Sequence, residues 1–146
     1  PDRRRRAGRG RRIVAENRLS QDANHRSHGP RFPRDGGGSV AAGRSVERPA
    51  HTIADGLAIT RPIADALELV RAAVDEILAV GDEALIAAMR LLIEKAGLLA
   101  EPSGAAGVAA LLEHGALFRG AAVGVIVTGS NLAPKLLPRL MAGGAV

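Results

Sequence analysis

Residues Ala121–Leu132 read AAVGVIVTGSNL, and the fold turns on how this stretch is understood. Its apolar run of Val123, Val125, Ile126 and Val127 is short, β-branched and punctuated by glycine. That pattern predicts a strand buried on both faces of a parallel sheet rather than a helix. The run stops abruptly at Thr128-Gly129-Ser130-Asn131. Open α/β sheets bind ligands beyond the carboxyl ends of their strands, so a hydroxyl, a glycine and an amide there mark a place where one would be met. A strand followed by an ordinary turn accounts for the same spacing.

Upstream, the pattern alternates between helix and strand. Thr52–Ala58 (TIADGLA) is a compact segment with an Asp55-Gly56 pair suited to a turn. Pro62 stands at a first helical turn, and Ile63, Leu67, Val70 and Val74 recur at three-to-four spacing, which predicts an amphipathic helix. Glu76–Val80 (EILAV) reads as a short strand. Gly81-Asp82 reads as a turn and N-cap, opening a helix over 83–96 with Leu85, Met89, Leu92 and Ile93 on one face. Arg90 and Glu94 sit i to i+4 on it, and Gly97 closes it. Ala106–His114 is again helical and is preceded by the small residues Ser103 to Gly107, which allow close approach of another backbone or of a flat ligand. His114 suits the helix C-terminus. Pro134–Met141 forms a closing helix interrupted by Pro138.

Charge divides the 146 residues into two polymers. Residues 1 to 50 carry thirteen arginines against five acids, a local charge of +8, whereas residues 51 to 146 carry seven basic and ten acidic groups, or −3. The first part is rich in Arg, Gly and Pro with one weak apolar island, Ile13-Val14-Ala15, and is expected to be disordered. Its arginines imply only non-specific attraction to nucleic acid, since no aromatic platform accompanies them. Gly36-Gly37-Gly38-Ser39 follows no apolar strand and reads as linker rather than phosphate cradle. His25 and His28, beside Asp22 and Asp35, have no rigid frame for a metal. The absence of cysteine excludes a disulfide framework and a thiolate zinc site. No apolar run approaches eighteen residues, so the expectation is a cytoplasmic chain without a membrane span or secretory signal. Phe32 and Phe118 are the only aromatic residues, which leaves a core of Ala, Leu, Val and Ile.

Three blocks in order, TIADGLA at Thr52–Ala58, AEPSGAAGVAAL at Ala100–Leu111 and VIVTGSN at Val125–Asn131, resemble the C-terminal part of the threonine and serine dehydratase family. This family belongs to the fold type II pyridoxal-phosphate enzymes, similar to the tryptophan synthase β-subunit. The resemblance spans roughly Ser39 or Arg44 to Met141. It implies an α/β fold, an incomplete parallel-sheet sandwich. Residues 1–44 are then a disordered Arg/Gly-rich segment, which an out-of-frame reading of GC-rich DNA would also produce, and residues 45–146 a partial catalytic domain. By the same resemblance Thr128 matches the hydroxyl residue that hydrogen-bonds the pyridine nitrogen of pyridoxal 5'-phosphate. Glu101 matches an acid close to the ring, Gly56 a glycine lining the ring pocket, and Asn131 the last residue of the family's SGGN-like loop, with Ser130 in place of its second glycine.

Three family features find no match: the lysine that holds the cofactor covalently, a Ser-Gly-Asn substrate loop and a phosphate-gripping glycine run. Lys95 and Lys135 are the only lysines. The implied parent is an ammonia-lyase that converts a hydroxy amino acid to a 2-oxo acid and ammonia. This chain is expected to be inactive by itself, with no catalytic residue and no metal ligand assigned. The alternatives are another fold type II enzyme, such as threonine synthase or diaminopropionate ammonia-lyase, and a basic-tailed nucleic-acid-binding protein. The partners implied are an amino-acid substrate of the parent enzyme, a homo-oligomer or a separately encoded N-terminal half.

Overall fold

A computed structural model describes residues 12–17, 45–47 and 50–142. The EILAV stretch is a strand over the residues expected, Glu76–Val80, and all five are buried. It pairs in parallel with a strand at Ile13–Asn17, in register from Ile13 opposite Glu76 to Asn17 opposite Val80. In chain order these strands are β1 (Ile13–Asn17) and β2 (Glu76–Val80). The Ile13-Val14-Ala15 island therefore corrects the expectation of disorder at this point. A buried strand must satisfy its backbone N–H and C=O groups on a neighbour, and this island supplies one. The remainder of segment 1–44, including the His25/His28 pair and the Gly36–Ser39 run, lies outside the described residues.

Three helices sandwich β2. The helix α1 (Ala64–Ala73) begins two residues later than Pro62 suggests, because Ile63 is still extended and serves as its N-cap residue. Leu67 of α1 packs on Ile77 of β2, with Val70 and Val74 against them. Leu78 and Val80 point to the other side, as the two-residue period of a strand requires. There they join Leu85, Ile86, Ala88, Met89 and Leu92 of α2 (Asp82–Ala96) and Ala106, Ala109 and Ala110 of α3 (Ala106–Glu113). The architecture is α/β, with helices on both faces of a parallel strand pair. Alanine at so many contact positions brings helix and strand backbones close, which lets a core almost without aromatics pack tightly.

The start of α2 departs from the sequence reading. Gly81 is the N-cap residue and makes no side-chain cap, while Asp82 is already helical. The Asp82 carboxylate works across the fold instead: Oδ1 accepts from Thr52 Oγ1 at 2.8 Å and Oδ2 from the Ile53 backbone N–H at 3.3 Å. Thr52 Oγ1 in turn accepts from the Ala54 N–H at 2.9 Å. The TIADGLA segment is thereby tied to a helix N-terminus, where a carboxylate is also favoured by the dipole. Gly81 donates its N–H to Glu113 Oε2 at the end of α3, and His114 Nε2 lies 2.8 Å from the Ala79 carbonyl oxygen, so the C-terminal ends of β2 and α3 are pinned together.

The closing helix is one 3-10 turn, Pro134–Leu136, followed by α4 (Leu137–Met141), with Pro138 in its first turn, where a missing N–H costs nothing. Arg90 does not depend on Glu94. Its guanidinium donates to the carbonyl oxygens of Arg139 and Leu140, which α4 leaves unpaired, while Arg139 pairs with Glu83 at 2.6 Å. An exposed i to i+4 ion pair stabilises by only about 0.2–0.5 kcal/mol, so the carbonyls are the stronger claim on the guanidinium.

The decisive AAVGVIVTGSNL stretch is not a strand among the described residues: residues 121–133 form no ladder with a neighbouring strand. Burial along it still alternates. Val125 and Val127 are half-buried, with Val127 against the main core, whereas Ile126 between them is 85% exposed. The expected burial on both faces is therefore not seen, because a ladder and a covered second face require a neighbouring backbone, and local sequence cannot supply one. Among the described residues no helix is long and apolar enough to cross a membrane.

Leu85 is fully buried and Leu69 is 71% exposed. Leu85→Ala is expected to lower the free energy of urea unfolding by about 2–5 kcal/mol. Leu69→Ala is expected to change it by no more than about 0.5 kcal/mol.

Candidate functional site

The three sequence blocks converge at the N-terminal end of α3. The Glu101 backbone N–H donates to the Gly129 carbonyl oxygen at 3.0 Å, and this bond joins the EPSG turn to the TGSN loop. Two glycines make the contact possible. Gly129 has a φ of +67°, in the left-handed region, and a Cβ there would overlap the Glu101 carboxylate. A Cβ at position 104 would overlap the Thr128 carbonyl oxygen. The small-residue run before α3 thus serves backbone approach: Gly104 receives Thr128, and Gly107 lies under Val125, whose Cγ1 would be 2.7 Å from an added Cβ.

The third block meets the same place from the other side. Asp55–Leu57 forms one 3-10 turn, and the Asp55 carboxylate accepts from the Gly56 N–H at 2.8 Å, the turn role expected of it. A Cβ on Gly56 would lie 2.8 Å from Ser103 Oγ and 4.0 Å from Glu101 Oε1. The Asp82 anchor described above holds this turn against the N-terminus of α2.

Of the four candidate residues, Gly56 and Glu101 are brought together with the backbone of Thr128 and Gly129. Glu101 is half-buried, and Thr128 is exposed at the mouth of this contact. Asn131 follows on the same loop, exposed, and its side chain makes no hydrogen bond among the described residues. One further residue emerges. Ser103 Oγ is buried and has no hydrogen-bond partner among the described residues, and it faces Gly56. The sequence placed Ser103 only in a run of small residues, and its sole signal was a hydroxyl amid alanine and glycine. No group of three His, Asp or Glu side chains suited to a metal occurs among the described residues.

Solved structures share this fold. The chain superposes on maize serine racemase with a TM-score of 0.67 at 32% identity, covering 90% of this chain and 38% of that one. The family described as pyridoxal-phosphate dependent enzyme matches residues 29–129, and the chain belongs to it. That match begins inside the Arg-rich segment, ahead of residue 45. In sequence the chain is 37% identical over 95 residues to the L-threonine ammonia-lyase of Thermotoga maritima, covering 65% of this chain and 23% of that enzyme. It is 35% identical over 116 residues to an L-threo-3-hydroxyaspartate ammonia-lyase of a Pseudomonas species, covering 78% of this chain and 36% of that enzyme. The chain therefore spans about a quarter to two-fifths of the length of these relatives.

Gly104→Ala is expected to push the TGSN loop off α3. The Glu101 amide should then exchange its hydrogen at least tenfold faster, read by native-state hydrogen exchange, while the amides of β2 keep their protection.

Proposed function

We propose that this chain is a piece of a pyridoxal-phosphate-dependent lyase that removes water from a β-hydroxy amino acid, threonine or serine, to leave a 2-oxo acid and ammonia. The observation that carries the reading is the meeting of Gly56, Glu101 and Thr128–Gly129, the residues matched to the ring end of a cofactor site, at one point of the fold. The two ammonia-lyases among the similar proteins support the reaction class. The residues matched to the ring site carry no side chain at 56 and 129, but Ser103 and the Glu101 carboxylate lie directly over those two glycines, so a ring would stand beside these contacts and not within them.

When bound, pyridoxal phosphate supplies the electron sink that lets an α-proton leave and a β-hydroxyl follow. In this reading the Thr128 hydroxyl is the partner of the pyridine nitrogen. A neutral hydroxyl does not hold that nitrogen protonated as an aspartate does, which moderates the electron demand of the ring and suits elimination. Glu101 lines the ring edge, its position set by the backbone bond to Gly129. Gly56 offers bare backbone to the ring face, and Asn131 continues the loop around its rim.

Neither lysine stands on the three converging segments. Lys95 is exposed in the last turn of α2, and Lys135 is exposed in the 3-10 turn before α4. Covalent attachment is therefore assigned to neither, and the lysine belongs to a part of the parent enzyme outside this sequence. The alternative within the family is another fold type II enzyme such as threonine synthase, which the missing substrate loop would distinguish.

The purified 146-residue chain, given pyridoxal phosphate and threonine, is expected to form no 2-oxobutanoate in a dehydrogenase-coupled assay. Turnover by the chain alone would overturn the fragment reading. Translating the coding DNA upstream of Pro1 in all frames is expected to yield the lysine motif, a Ser-Gly-Asn loop and a glycine run. Finding none of them in any frame would remove the lyase assignment.

A further inference from the structure

We infer that Asp82 is a positioning residue of this site: through Thr52 and Ile53 it sets where Gly56 stands against the start of α3. In the cofactor reading above, on which this rests, Gly56 is a wall of the site. One carboxylate holds three consecutive residues. Oδ1 accepts from the Thr52 hydroxyl at 2.8 Å and Oδ2 from the Ile53 N–H at 3.3 Å. Having given its only proton to Asp82, Thr52 Oγ1 keeps its lone pairs for the Ala54 N–H, at 2.9 Å. Ala54 is fully buried, and its carbonyl oxygen accepts from the Leu57 N–H at 2.9 Å, which closes the turn that carries Gly56.

The neighbouring residue completes the frame. Gly81, one peptide bond before Asp82, donates its N–H to Glu113 Oε2 at the far end of α3. Just ahead of the near end of that helix, Ser103 and Glu101 meet Gly56: an added Cβ at position 56 would lie 2.8 Å from Ser103 Oγ and 4.0 Å from Glu101 Oε1. Residues 81 and 82, at the carboxyl end of β2, therefore hold both parties to this contact. A closed circuit runs from β2 through Asp82 and Thr52 to Gly56, across to Ser103, and along α3 and Glu113 back to Gly81. Ile53, Ala54 and Leu57 also pack on the core, but apolar burial has no preferred direction, whereas two charge-assisted bonds do. Gly56 is exposed and has no side chain of its own to fix its place.

The test uses the complete 146-residue chain and the nuclear Overhauser contact between the Gly56 Hα and Ser103 Hβ protons, which the parent chain is expected to show. In Asp82→Ala, and in Thr52→Val, which removes the hydroxyl at nearly constant shape, this contact is expected to be lost. The Leu57 amide, whose acceptor neither variant touches, is expected to exchange its hydrogen about tenfold faster in both. Contacts between β2 and α2 in the core are expected to stay as in the parent. Thr52→Ser keeps the hydroxyl and should restore both the contact and the slow exchange. Asp82→Asn keeps one carbonyl acceptor of two and should fall between. If Asp82→Ala does not fold, Thr52→Val against Thr52→Ser decides. A Gly56–Ser103 contact of parental strength in folded Asp82→Ala or Thr52→Val overturns the role of Asp82 and leaves the cofactor reading standing. Loss of the core contacts together with the site contact in Thr52→Val overturns it too, since the anchor would then be structural only. A parent chain without the contact overturns this inference together with the meeting of residues that carries the cofactor reading.

Discussion

A single backbone hydrogen bond, from the Glu101 N–H to the Gly129 carbonyl oxygen, joins two segments twenty-eight residues apart, and the site depends on it. The bond is geometrically possible because positions 104 and 129 carry no side chain: the first would strike the Thr128 carbonyl, the second the Glu101 carboxylate. Such an approach of backbone to backbone leaves no room for water between the partners. It fixes where the Glu101 side chain and the Thr128 hydroxyl stand without either having to bond the other. Positioning by backbone contact leaves functional side chains free for a ligand.

The rest of the fold supplies rigidity to that contact. The Ala-rich seam between α2, α3 and β2 holds the α3 N-terminus in place, and Asp82 fastens the Thr52–Ala58 segment to the start of α2. A carboxylate that accepts from both a side chain and a backbone N–H at a helix N-terminus is a stronger anchor than an exposed ion pair. Gly56 therefore faces Ser103 and Glu101 from a segment that is not free to drift. The opposite end is closed by Arg90 on the α4 carbonyls, so the layer is bound at both margins.

Much of this was legible in the chain. EILAV could be read as a strand because β-propensity and an apolar run between turn signals coincide there. The α2 stripe of Leu85, Met89 and Leu92 is buried as its spacing requires, while Ile93, at the edge of the stripe, is half out of it. The Gly97 C-cap has the left-handed φ of +63° that its residue type invites. Less legible was Ile13–Asn17: five residues inside an Arg-rich stretch become a strand because β2 presents a row of backbone groups, and composition averaged over fifty residues conceals so short a run. Gly56, Glu101 and Thr128 were singled out by resemblance, whereas the packing of Ser103 against Gly56 was marked by neither pattern nor resemblance.

Local sequence by itself determined the helices and the Gly97 cap, because these depend on residues a few positions apart. Only the tertiary structure decided which backbone β2 pairs with, that Asp82 reaches Thr52 and Ile53, and that the Ser103 hydroxyl oxygen is buried without a hydrogen-bond partner among the described residues. Each of these depends on groups brought together from distant parts of the chain, and the energy of such a meeting is absent from any window of sequence. Residues 121–133 show the same division: their β-branched composition suits a strand, but a strand exists only when a second backbone lies beside it.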